Sequence, residues 1–149
     1  MPRREIHSLK RRAKLAQRVM IVGGEEAALM SLSEYFTARG WAVDCARERE
    51  EAEALLSHVE YAAVIADLWI RKNFSAEGLQ IVSHVRSQCP GTRVILTTAD
   101  SSPELKAEAL RRGADAFLLT PQTLSQVGDL VFTLLEGRDE TSQPARQDP

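Results

Sequence analysis

Residues 18–29 read RVMIVGGEEAAL. The apolar run Val19–Val22 has the length of a buried strand, and the Ala- and Leu-rich segment behind the glutamates reads as the start of a helix. The turn between a first strand and its helix is where a βα unit usually builds its site. Here that turn holds two glycines, Gly23 and Gly24, followed by Glu25 and Glu26.

Working outward, the same alternation repeats. Glu25 to Arg39 is expected as a helix with Leu29, Leu32, Tyr35 and Phe36 on its inner face and Gly40 closing it. WAVDCA is a second strand, and Glu48 to His58 a charged helix packing through Ala52, Leu55 and Leu56. YAAVIADLWI contains a third strand ending near Asp67, and a loop then runs to about Ala76. A helix through Leu79, Ile81, Val82 and Val85 stops before Pro90. TRVILTTA is a fourth strand, Pro103 to Arg112 a helix capped by Gly113, and DAFLLT a fifth strand. Leu124 to Leu135 is the last helix. Five strands alternating with five helices predict an α/β fold, a doubly wound parallel sheet covered on both faces with right-handed crossovers. Ligand sites in such sheets lie beyond the carboxyl ends of the strands. That rule selects Gly23, Gly24, Asp67, Thr98, Ala99 and Thr120.

The composition is that of an ordinary α/β domain: 149 residues, 44% hydrophobic and 5% aromatic. No apolar run approaches the ~18 to 20 residues that cross a bilayer, and no apolar stretch follows the basic N-terminus as a secretory signal would require. Cys45 and Cys89 lack CxxC spacing, and His7, His58 and His84 are scattered, so free thiols and a cytoplasmic protein are expected. Charge is uneven. Of the 19 Lys and Arg, seven lie in residues 1–18 beside a single acid, leaving 12 basic and 20 acidic residues elsewhere, a net of −8. Residues 4–17 place Ile6, Leu9, Ala13 and Ala16 on one helical face opposite the basic one. Nucleic-acid or acidic-partner binding is one reading of that segment. A solvated or docked arm is preferred, because the body is acidic and no aromatic is interleaved with the basic residues. The expected divisions are a basic arm at 1–17, one domain at 18–136, and a polar tail with two prolines at 137–149.

From about Arg18 to Glu136 the chain resembles the receiver domains of two-component response regulators. The resemblance is carried by EYFTARGWAVDCA, IADL at the third strand, VILTTA at the fourth, and above all RRGADAFLLTP leading into the fifth. It implies a flavodoxin-like receiver fold with sheet order 2-1-3-4-5. It also implies an aspartate that accepts a phosphoryl group from a histidine kinase. In that family an acidic pair after the first strand holds Mg²⁺ with the acceptor, and a lysine after the fifth strand supports the phosphoryl oxygens. A hydroxyl after the fourth strand and an aromatic in the fifth respond to phosphorylation. By resemblance Asp67 stands at the acceptor position, Thr98 at the hydroxyl, Phe117 at the aromatic, and Pro121 at the proline that follows a cis peptide bond. Gly23 and Gly24 stand where the acidic pair belongs, and Thr120 stands where the lysine belongs. The loop from Asp67 to Gly78 is longer than the family's and lacks its proline.

One carboxylate with backbone carbonyls is a poor Mg²⁺ site, since hard cations need charged oxygen ligands. Removing one electrostatic stabiliser from a transition state costs about 2.7 to 4 kcal/mol, so two missing together predict phosphotransfer slower by orders of magnitude. Glu25 or Glu26 could reach back as substitute metal ligands. The plainer reading puts both in the first helical turn, facing solvent and suiting the macrodipole. GGEEAAL lacks the GxGxxG and GK[ST] patterns, so a phosphate cradle is not supported. Asp67 is expected to persist as a hydrogen-bond acceptor for Thr98 or nearby amides, in a small network with Thr120, and Trp69 to pack against the long loop. No nucleophile–base set assembles from the strand ends, so no enzyme activity is expected.

The resulting expectation is a pseudo-receiver that signals by protein–protein contact, with no cofactor. By resemblance the contact face is the fourth helix, fifth strand and fifth helix, through Glu104, Lys106, Glu108, Arg111, Gln126 and Asp129, with a possible homodimer. Two alternatives stand beside it. One is a receiver phosphorylated at Asp67 with Mg²⁺ recruited by Glu25 or Glu26, and the other is nucleic-acid binding through the basic segment.

Overall fold

A computed structural model of the chain describes residues 17–70 and 75–139. Among them β1 (Arg18–Val22), α1 (Glu26–Ala38), β2 (Ala42–Ala46), α2 (Arg49–Leu56), β3 (Ala63–Asp67), α3 (Glu77–Gln88), β4 (Arg93–Thr98), α4 (Pro103–Arg112), β5 (Ala116–Leu119) and α5 (Leu124–Asp139) alternate along the chain. The strands form one sheet in the order β2-β1-β3-β4-β5. Every pairing is parallel. The expected fold class is therefore the observed one. The basic segment lies outside the described residues apart from Gln17, and with it the nucleic-acid reading. α5 runs to Asp139, past the expected domain edge at 136, and residues 140–149 also lie outside.

Parallel strands buried on both faces need apolar side chains at consecutive positions. Val19 to Val22 and Ala63 to Ala66 supply them. Met20, Val22, Val64, Ala66, Val94 and Leu96 face one layer, packed with Leu56, Ile81, Val82, Val85 and Ala109 from α2, α3 and α4. Val19, Ile21, Ala63, Ile65 and Ile95 face the other, against Leu29, Phe36, Val127 and Val131 from α1 and α5. Leu32 and Tyr35, expected on the inner face of α1, are only partly buried there.

The motif RRGAD has a clear structural task. Gly113 ends α4 at φ +107°, in the left-handed region, and a Cβ there would collide with the aliphatic stem of Arg86. Two residues on, Asp115 Oδ2 accepts from the Val94 amide at 2.8 Å and from Arg86 at 3.3 Å. Its other oxygen accepts from Arg93 at 3.1 Å. One carboxylate thereby fastens β5 to β4 and α3. At the other end of α4, Ser102 caps the first turn by accepting from the Leu105 amide, and Pro103 sits at the first helical position.

Candidate functional site

The carboxyl ends of β1, β3, β4 and β5 meet, as the sequence predicts, around a cleft of about 660 Å³. Gly24, Glu25, Asp67, Trp69, Thr98, Ala99 and Thr120 all line it. Gly23 is buried immediately behind it, and a Cβ there would lie 2.8 Å from Asp67 Oδ2.

Asp67 closes β3 and is half-buried. Its Oδ1 accepts a hydrogen bond from Thr97 Oγ1 at 2.6 Å. Of the expected partners, Thr98 or nearby amides, the hydroxyl is corrected to Thr97. The reason is register: Asp67 pairs with Thr97, and paired residues point to the same face of a sheet. Thr98 points to the opposite face, where its Oγ1 accepts from the Asp100 amide at 3.0 Å. Leu96 pairs with Phe117, so Phe117 and Thr98 do share a face, and Phe117 is partly buried against the α3 side of the core. The Thr120–Pro121 peptide is cis, as the resemblance implies.

The two glutamates part company. Glu26 does not line the cleft and is paired with Arg47, which donates from Nε at 2.9 Å and from a terminal nitrogen at 2.7 Å. The guanidinium's hydrogen bonds lower the Glu26 pKa from its ordinary value. Glu25 is the residue before α1, makes no side-chain cap, and its exposed side chain lines the cleft. Trp69 is half-buried and packs on the α3 side of the core while forming part of the cleft wall. Cys45 and Cys89 are free, half-buried thiols whose pKa burial raises, in keeping with an inert role.

Four residues that line the cleft escaped the reading of the sequence: Thr97, Arg47, Glu48 and Ile70. Thr97 could have been found by counting strand parity from Asp67. Arg47 follows the end of β2, and the strand-end rule applied to β2 would have reached it. Ile70 contributes its backbone, for which a sequence carries no signal. At Gly24 a Cβ would lie under 3.0 Å from the Ile70 carbonyl oxygen.

A divalent cation does not fit these residues. Gly23 and Gly24 offer no side-chain ligand, Glu26 is paired with Arg47, and the described residues hold no group of three His, Cys, Asp or Glu able to bind a metal. The Ile70 carbonyl stands where a carboxylate-bearing side chain would begin.

On the expected contact face, Glu104, Lys106, Arg111 and Asp129 are exposed. Glu108 is half-buried and holds both Arg111 and Arg112. Gln126 serves the start of α5: its side chain accepts from the Thr123 amide at 2.8 Å, and its amide donates to Thr123 Oγ1 at 3.1 Å. That reciprocal arrangement is a capping box. Missed from sequence were three exposed apolar residues, Leu110 on α4 (46%), Leu119 on β5 (43%) and Leu124 on α5 (38%).

The model of the response regulator receiver domain matches residues 19–131, and the chain belongs to that family. It is 28% identical over 126 residues to the alginate biosynthesis transcriptional regulatory protein AlgB of Pseudomonas aeruginosa, covering 85% of this chain and 27% of that protein. The chain thus spans about a quarter of the length of that relative. Among solved structures it resembles the beryllofluoride-activated NtrC4 receiver domain dimer, with TM-score 0.74, 24% identity, and coverage of 82% of this chain and 98% of that one. It also resembles a CheY-like receiver domain protein of Methanospirillum hungatei, with TM-score 0.77, 20% identity, and coverage of 83% and 97%. Receiver domains are modules of two-component signalling, and this chain is one of them by fold and by family.

Proposed function

We propose that this receiver domain signals by protein–protein contact and does not use Mg²⁺-dependent phosphorylation of Asp67 as its switch. The observation that carries the reading is the joint replacement of the charged groups around Asp67: Gly23 and Gly24 after β1 and Thr120 after β5. A phosphoryl group on Asp67 would meet neither a metal carboxylate pair nor a lysine. Electrostatic preorganisation of this kind is the main protein contribution to phosphoryl transfer.

The proposed contact surface is α4, β5 and α5, where Leu110, Leu119 and Leu124 add exposed apolar area to Lys106, Arg111 and Asp129. A second copy of the chain is the first partner to test, and a monomer by light scattering at high concentration would remove it. The phosphorylation claim is tested by incubating the chain with acetyl phosphate and Mg²⁺ and measuring intact mass beside Asp67→Asn. No adduct is expected on either. An adduct on the unmodified chain that Asp67→Asn abolishes would return phosphorylation to the lead. Glu25, which lines the cleft, would then be the residue to substitute next.

A further inference from the structure

We infer that the backbone of residues 68–70 takes the space a side chain at position 24 would need, and that Gly24 is the residue that lets this segment lie so close to the β1–α1 turn. The inference deepens the metal-independent reading above and rests on it for its functional meaning. Gly24 does not have a positive φ; among the described glycines Gly40 and Gly113 do. No backbone conformation therefore calls for glycine at position 24. Space does: a Cβ there would lie under 3.0 Å from the carbonyl oxygen of Ile70.

The backbone leading up to that carbonyl is anchored at Leu68. The Leu68 amide donates to the Thr97 carbonyl at 2.8 Å, continuing the β4 ladder past the end of β3. The Leu68 carbonyl accepts from the Gly78 amide at 2.9 Å, which ties the strap to the first turn of α3. The Leu68 and Ile70 side chains are 0% and 1% exposed in the α3 side of the core. Gly78 is itself required there, since a Cβ would lie under 3.0 Å from the Asp67 carbonyl and Leu68 Cα. Gly23 differs in kind. Its nearest neighbour is the Asp67 carboxylate, a side chain that can rotate. Putting an acid back at position 24 would therefore displace the strap before it could build a metal site.

Hydrogen–deuterium exchange on the full chain tests this, comparing wild type, Gly23→Ala and Gly24→Ala. Gly24→Ala is expected to speed exchange across residues 68–70 by on the order of tenfold, while Gly23→Ala leaves that segment unchanged. Loss of the folded state in Gly24→Ala with Gly23→Ala still folded would also support the contact. Wild-type exchange in Gly24→Ala, or failure of both variants to fold, would overturn it. A Gly23→Asp/Gly24→Asp variant supplies a second readout. It should ignore Mg²⁺, or bind it only with residues 68–70 deprotected; binding with that segment fully protected would also overturn the inference. Phosphoryl uptake by the unmodified chain would refute the metal-independent reading and leave this contact standing.

Discussion

At the scale of single residues, the two threonines ending β4 do different work although they are chemically identical. Thr97 donates to a carboxylate at 2.6 Å, whereas Thr98 accepts from a loop amide at 3.0 Å. Hydrogen bonds to charged groups contribute about 1.5 to 3 kcal/mol, and neutral ones about half that. Thr97→Val, close to isosteric, is expected to cost more stability in urea denaturation than Thr98→Val, by about 1 kcal/mol. Equal costs would contradict the assignment of the Asp67 partner. Only strand register separates these residues, so the sequence reading reached the end of β4 and named Thr98, one position past the true hydroxyl partner. Glu26 gives a pH test. Its folded pKa lies below the ordinary carboxylate value because Arg47 donates to it. The pair's contribution to stability is therefore present above the unfolded pKa and lost as pH falls through the folded one. NMR titration should place Glu26 below the ordinary range, and Arg47→Ala should return it there.

At the scale of elements, the fold was readable wherever local chemistry and burial agree. Strands buried on both faces must be apolar at consecutive positions, which made Val19 to Val22 and Ala63 to Ala66 plain. Pro103 and Gly113 marked the ends of α4 because each satisfies a specific backbone need. Contacts between distant segments were not readable. Glu26 and Arg47 are 21 residues apart, and the Ile70 carbonyl belongs to the backbone. The link from β5 to α3 through Asp115 is of the same long-range kind. Asp115→Ala would leave the Val94 amide, Arg86 and Arg93 without this carboxylate and should cost about 2 to 3 kcal/mol, measured by chemical denaturation. Between α1 and α5, a Cβ on Gly128 would lie 2.6 Å from the Tyr35 ring. Gly128→Ala should push Tyr35 outward and cost about 1 to 3 kcal/mol, with the near-ultraviolet aromatic signal changed.

At the scale of the whole molecule, a receiver fold brings Gly24, Asp67 and Thr120 together in one cleft at the carboxyl ends of its strands. Asp67, Thr98 and Thr120 line that cleft, and the Thr120–Pro121 peptide is cis. Gly23 and Gly24 carry no side chain and Thr120 a neutral one, which is the ground of the proposal that Mg²⁺-dependent phosphorylation is not the switch. If the proposed contact through α4, β5 and α5 holds, Leu119→Arg is expected to abolish any self-association seen by light scattering. The most direct test of the central claim is a Mg²⁺ titration of a Trp41→Phe variant, following the fluorescence of Trp69 at the cleft wall, with Asp67→Asn as control. No saturable change up to about tens of millimolar is the predicted result. A saturable change that Asp67→Asn abolishes would mean that a metal site survives, and would contradict the account.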